Sequence, residues 1–321
     1  MTTYYRSGGE KMYYPILRGK QNEFLALKDI INKLASSKKV IPVIEPVNAN
    51  IKPLLSCLND LEAKEVTSII IVNPTNGDLA GDDRSTESLI NSIVTNFKLV
   101  KFGIIIRSTT TLAKINYYLN LLQDFDFILF HQSPYQNINE LKQIEELKNF
   151  YGHLINNSSV PRNYHKSFSI NHQIVVIDDP FNKQQRNEDY RLNQNEFFSD
   201  MPTNYHNLGF NGFGDYLIIG EEYRDGGRLP QTVALHITYP KDGDEIWIKH
   251  FLSQHYPFDP KTSAMVLESI NELKEFLEEN PYILEFSSSC RELLTKGSTS
   301  LGTLKRHSIA HHIELIIFLF K

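Results

Sequence analysis

Short apolar runs rich in Ile and Val alternate along this chain with longer stretches in which apolar residues return every three or four positions. That alternation predicts strand, helix, strand in repetition, the order that builds a parallel sheet. The first run, residues 13–17, stops at Arg18-Gly19-Lys20, after which Phe24, Leu27, Ile30, Ile31 and Leu34 share one helical face. Residues 40–44 stop at Glu45-Pro46 ahead of Leu54, Leu55, Leu58 and Leu61, and residues 68–72 stop at Asn73-Pro74 ahead of Leu89, Ile90, Ile93 and Val94. Residues 101–106 stop at Arg107 and residues 127–130 at His131-Gln132, each followed again by helical spacing.

Residues 152–156 read as a short sixth strand and residues 173–177, stopped by Asp178-Asp179-Pro180, as the seventh. Residues 215–219, stopped by Gly220-Glu221-Glu222, complete eight; if residues 152–156 are not a strand, residues 233–237 close the set instead. Residues 232–239 and 245–251 around Lys241-Asp242-Gly243-Asp244 predict an antiparallel hairpin inserted after the last of the eight strands. Helices over 264–279 and 303–320 finish the chain. The pattern is that of an α/β fold, a (β/α)8 TIM-like barrel with a hairpin insertion and C-terminal helices. An open doubly wound sheet is the competing architecture, and no phosphate-binding glycine fingerprint follows the first strand to favour it.

At 321 residues the chain suits one barrel domain over 12–321, with 232–252 as the hairpin insertion and 1–11 as a flexible polar tail. A composition of 41% hydrophobic and 22% charged residues is that of an ordinary globular protein, with enough apolar surface for a sizeable core. A net charge of -5 without any long basic block argues against broad nucleic-acid binding. Cys57 and Cys290 stand far apart and form neither a metal-ligand spacing nor a disulfide framework, which fits a reducing, cytoplasmic compartment. The apolar stretch 313–320 is too short to cross a bilayer, so no membrane association is expected.

In barrel enzymes the working groups stand at the C-terminal ends of the strands. Here those ends carry Arg18, Lys20, Glu45, Asn73, Arg107, His131, Asp178, Asp179, Glu221 and Glu222. Cations at Arg18, Lys20 and Arg107 suit a small anionic substrate, with Asn73 beside them, while Glu45, Asp178, Glu221 and His131 are the candidates for acid/base catalysis. Strands also end in polar residues simply because they end. Asp178-Asp179 is either a divalent-metal or acid/base pair or an N-cap and turn before Pro180. Arg186 and Asp189, within Arg186-Asn187-Glu188-Asp189-Tyr190, place both charges on a long loop that could touch substrate.

The stretch Gly209-Phe210-Asn211-Gly212-Phe213-Gly214-Asp215-Tyr216 lacks the Gly-Lys-Ser/Thr of a P-loop and reads as a turn packed by Phe210 and Phe213, with Asp215 as a further substrate contact. His307 and His311 share a helical face with His312 and Glu314 nearby, but the His-Glu-x-x-His order is absent and Lys305-Arg306 oppose a cation. That helix is expected to pack on the barrel. His236 and His250 face the same side only if the hairpin is regular.

Several phrases recur together: Tyr14-Pro15-Ile16-Leu17-Arg18-Gly19-Lys20-Gln21, Ile41-Pro42-Val43-Ile44-Glu45-Pro46, Val72-Asn73-Pro74, Arg186-Asn187-Glu188-Asp189-Tyr190, Phe197-Phe198-Ser199-Asp200, Gly212-Phe213-Gly214-Asp215-Tyr216 and His311-His312-Ile313-Glu314. In these the chain resembles a bacterial family related to the phage beta-protein group. The resemblance implies a bacterial or phage-linked protein, encoded near defence or mobile-element genes and beside a nuclease-like partner. It names no reaction. Two functions follow as expectations: a hydrolase or phosphoester-processing enzyme acting on a nucleotide-like anion, or a noncatalytic interaction partner of the neighbouring protein.

Overall fold

The computed structural model describes residues 11–122, 124–226, 229–241, 245–258 and 262–321. The tail expected over 1–11 lies outside them except for Lys11, as does the hairpin turn except for Lys241. The strands are β1 (Ile16–Leu17), β2 (Val43–Ile44), β3 (Ser68–Ile71), β4 (Val100–Ile106), β5 (Phe127–His131), β6 (Phe150–Asn156), β7 (Gln173–Asp178), β8 (Asn195–Ser199), β9 (Gly212–Asp215), β10 (Ala234–Lys241) and β11 (Glu245–Leu252). The helices are α1 (Gln21–Asp29), α2 (Ile31–Ser37), α3 (Lys52–Glu62), α4 (Asp83–Asn96), α5 (Leu112–Leu122), α6 (Ile138–Glu145), α7 (Met201–Asn204), α8 (Thr262–Glu279), α9 (Ile283–Phe286), α10 (Ser288–Lys296) and α11 (Leu301–Leu319).

β1 to β7 and then β9 pair in parallel, each with its neighbour in the chain. The ring closes where Tyr14 N–H donates to Phe213 O at 2.9 Å and Phe213 N–H to Met12 O at 3.2 Å. The result is an eight-stranded parallel barrel, as the alternation predicts, with residues 150–156 as a true sixth strand. The eighth strand lies earlier than expected: Gly212–Asp215 forms it, and the chain turns at 216–219. Within the glycine-rich stretch Gly212–Asp215 is therefore strand, while residues 209–211 ahead of it turn, with Phe210 and Phe213 buried as expected. A Cβ on Gly214 would come within 2.1 Å of Tyr14 O, so the seam needs a residue without a side chain there.

Successive side chains of a strand face opposite sides, which gives this wall two apolar layers. Ile16, Val43, Ile71, Ile105, Phe130, Leu154, Ile177 and Tyr216 pack together inside the ring. Leu17, Ile44, Ile70, Ile104, Leu129, Ile155, Val176 and Phe213 belong to the larger outer core shared with the helices. α3 presents Leu54, Cys57, Leu58 and Leu61 to that core, and α4, capped by Asp82 accepting from Arg84 and Ser85 N–H, presents Leu89, Ile90 and Ile93.

The hairpin is regular: β10 and β11 pair antiparallel with His236 opposite His250, so the two histidines do share a face. A third strand, β8, joins β11 and makes a small separate sheet that the hairpin pattern alone does not reveal. α11 packs against α1, α10 and β10, tying that sheet to the barrel. Among the described residues no helix is long and apolar enough to cross a membrane.

Candidate active site at the barrel mouth

One inward position beyond the apolar layer, the strands present Arg18, Glu45, Asn73, Arg107, Gln132, Asn156 and Asp179, each two residues past an inward-facing apolar side chain. Parity thus separates the expected residues. Arg18, Glu45, Asn73, Arg107 and Asp179 fall on the inner side, and His131, Asp178 and Asp215 on the outer side.

At the centre of the mouth the Arg18 guanidinium forms a buried ion pair with Glu45, donates to Glu221 O and lies over the Tyr216 ring at 5.1 Å from its centroid. Glu45 Oε1 also accepts from Thr75 N–H at 2.7 Å, Thr75 Oγ1 at 3.1 Å and Asn76 Nδ2 at 3.2 Å, so its acceptor capacity is spent on positioning. The Glu221 carboxylate accepts from Asn156 Nδ2 at 2.6 Å and from Tyr216 OH at 3.4 Å, and Glu221 N–H donates to Asp179 Oδ2 at 2.9 Å. Burial pushes the Glu221 carboxyl above the usual carboxylate range, and the neighbouring Asp179 adds to it. Burial raises Asp179 likewise. Among the described residues Arg18 Nε and Asp179 Oδ1, and Glu23 Oε1 close by, are buried with no hydrogen-bond partner.

Other expected residues stand elsewhere. Asn73 grips the backbone of β4, accepting from Ile105 N–H at 2.7 Å and donating to Ile105 O at 2.9 Å, and so extends the sheet. Arg107 is exposed, donates to Gln132 Oε1 at 2.8 Å, and lines a groove of about 570 Å³ between the loops after β3 and β4. Lys20 donates to Arg224 O at 3.1 Å, on the segment that follows Glu221. Arg186 and Asp189 pair with each other at 2.8 Å on the surface and staple their own short 3-10 turn.

His131 is not a mouth residue. It is fully buried behind the wall, with Nε2 2.9 Å from His153 Nδ1 and Nδ1 3.1 Å from Tyr164 OH, and His153 in turn contacts Glu145 at 2.9 Å. Asp215 also faces outward: it accepts from Tyr13 OH at 2.7 Å and Leu217 N–H at 2.9 Å, and His312 Nε2 lies 3.2 Å away. Asp178 and Asp179, being successive, point to opposite sides of the wall and do not converge on an ion. Among the described residues no group of three or more His, Cys, Asp or Glu is placed to hold a metal. On α11, His311 lies 2.6 Å from Thr238 O and 2.8 Å from Ser287 Oγ, while Glu314 accepts from Ser288 and Ser289 N–H and pairs with Lys33. That helix packs on the rest of the molecule, as its sequence predicts.

Asn156 and Tyr216 belong to the mouth and were not singled out by their sequence. Asn156 was legible as the polar residue two past Leu154; Tyr216 was hidden by the misplaced eighth strand.

No protein-family model matches the chain, and no curated protein matches it. Solved structures align with part of the chain. Dihydrodipicolinate synthase from Bacteroides thetaiotaomicron aligns at 10% identity over 65% of this chain and 70% of its own, with a TM-score of 0.43. N-acetylneuraminate lyase from Mycoplasma synoviae aligns at 10% identity over 64% and 67%, TM-score 0.39, and a truncated 3-deoxy-D-arabino-heptulosonate 7-phosphate synthase from Thermotoga maritima at 10% over 64% and 75%, TM-score 0.37. Likeness at this level carries nothing about chemistry. The class, an eight-stranded parallel α/β barrel, rests on the strand pairing itself.

Proposed function

We propose that the protein is an enzyme that performs acid/base chemistry at the C-terminal mouth of its barrel on a small anionic substrate, in its finer form the hydrolysis of a phosphoester. One observation carries this reading: Glu221 and Asp179 are adjacent carboxyls held at the mouth with raised pKa values, the condition that lets one donate a proton while the other accepts one. In such a hydrolysis the ionised carboxylate takes a proton from the attacking water and the protonated one gives its proton to the leaving oxygen. Arg18 and Glu45 position Glu221 through its main chain, and Asn156 orients its carboxylate. A defence or mobile-element setting, with a protein partner encoded nearby, is the context supplied by the resemblance to the phage beta-protein group.

The test begins with a thermal-shift screen of nucleotides and sugar phosphates, since a ligand that binds the native state raises its melting temperature. On any substrate found, Glu221→Gln lowers kcat by about 100-fold or more at unchanged melting temperature, the scale of a lost acid/base group. Turnover that survives Glu221→Gln rejects the assignment.

A further inference from the structure

The segment 221–225, which follows the last barrel strand, crosses the edge of the mouth between Gly220 at φ 74° and Gly226 at φ 75°, backbone conformations that residues other than glycine seldom adopt. Three cations from separate elements hold its main-chain carbonyls. Arg18, after β1, donates to Glu221 O; Lys183, in the loop after β7, donates to Glu222 O at 2.7 Å; Lys20, opening α1, donates to Arg224 O at 3.1 Å.

A fourth cation, Lys305 of α11, stands close enough to Lys20, Lys183 and Glu23 to interact with each electrostatically. Among the described residues its Nζ has no hydrogen-bond or ion-pair partner. Lys305 is exposed, and the protein packed around it lowers its pKa. Arg18, only 5% exposed, still has an unpartnered Nε.

Neutral carbonyls are weak partners for this many cations, because a charge-assisted bond to an anionic oxygen is about twice as strong. Acidic groups are also present: Asp225 lies 3.6 Å from Lys20, and Glu222 pairs with Arg224 at 2.7 Å. Burial raises the pKa of Glu23, Asp179 and Glu221, which weakens their hold on the neighbouring cations.

We propose that Lys20, Lys183 and Lys305, beside Arg18, form the anion subsite of the mouth, and that a phosphoryl group entering it takes Lys183 and Lys20 from the carbonyls of Glu222 and Arg224 and releases that part of the strap, while Arg18 keeps Glu221 in place. The subsite rests on the enzymatic reading above and moves its anion-holding residues away from Arg107. Lys183 and Lys305 lie in a loop and a helix far along the chain from the first strand ends, so no local spacing announces them.

The experiment is isothermal titration of the full chain with pyrophosphate at constant ionic strength. Saturable one-to-one binding is expected, weakened at least about tenfold by Lys305→Gln and by Lys183→Gln and unchanged by Arg107→Gln. Lys183 sits in a loop, so its variant keeps the test decisive even if Lys305→Gln fails to fold. Pyrophosphate also speeds tryptic cleavage after Arg224, because the strap is released. Absent saturation, equal affinity in the lysine variants, or loss in Arg107→Gln overturns the subsite, and cleavage that slows or stays constant overturns the release. Glu221-dependent turnover without pyrophosphate binding would reject this subsite alone. Binding with turnover indifferent to Glu221 would reject the reaction alone.

Discussion

On the outer face of the barrel wall His131, His153 and Glu145 form a buried chain of hydrogen bonds, and Asp215 is occupied by Tyr13, Leu217 and His312. On the inner face, a residue away along the same strands, Asp179 leaves an oxygen unpaired and crowds Glu221, while Arg18 leaves Nε unpaired. Buried polar groups are ordinarily satisfied, and those that are not call for a reason. The outer groups answer to stability. Unpaired buried atoms also occur away from the mouth, at His165, Gln173, Tyr205 and His307, so what sets the inner groups apart is the crowding of Asp179 against Glu221.

The buried histidines and the mouth carboxyls respond to acid with opposite sign, and that gives the largest predicted effect. Burial lowers the pKa of His131, His153 and His236, and pushes His311 down to about 4 from an ordinary 6.5. Their contribution is complete above the unfolded value and is lost as pH falls from about 6.5 toward the folded values, because the unfolded chain then binds more protons. For His311 alone that amounts to about 3 kcal/mol at pH 4. Asp179 and Glu221, with raised folded pKa values, add stability as pH falls through them toward their unfolded values. Urea unfolding from pH 7.5 to 4 accordingly shows a net acid loss, and the double variant Asp179→Asn, Glu221→Gln makes that loss steeper. A flat profile, or a shallower one in the double variant, breaks the comparison.

Next in size is Asp215→Ala, which strands Tyr13 OH and the Leu217 N–H and costs about 2–3 kcal/mol by denaturant unfolding. Asp179→Asn sharpens the contrast from the inner side. It keeps an acceptor for Glu221 N–H and removes an under-satisfied carboxylate, so stability holds or rises by up to about 1 kcal/mol while turnover falls. Smallest is Arg186→Ala, which breaks only a surface pair and leaves melting temperature and turnover unchanged.

The barrel was largely legible, because most of its strands are short apolar runs with polar stops; residues 152–156, with Gly152 and His153, were the one early strand left open against 233–237. The eighth was read a few residues late: Gly212 and Gly214 carry no side chains to mark a strand, whereas Leu217, Ile218 and Ile219 imitate one. β8 was hidden for a related reason, with Phe197 and Phe198 set among Asn and Glu and half of the strand exposed. At the mouth, sequence located the strand ends but counted every polar residue there as inward. Applying the two-residue period from Phe130 or Ile177 would have turned His131 and Asp178 outward. Lys183 and Lys305 carry no such signal, since loops and a distant helix bring them in.

The seam between the first and last barrel strands has a consequence for how the chain reaches this state. Tyr13 meets Asp215 across 202 residues of chain, so this first strand stays an unzipped sheet margin until the polypeptide has been made and ordered as far as Asp215. A nascent or truncated chain lacking Gly212–Asp215 would display two bare parallel borders at once, each a template for a neighbouring molecule, and self-association during synthesis is where this architecture is most exposed.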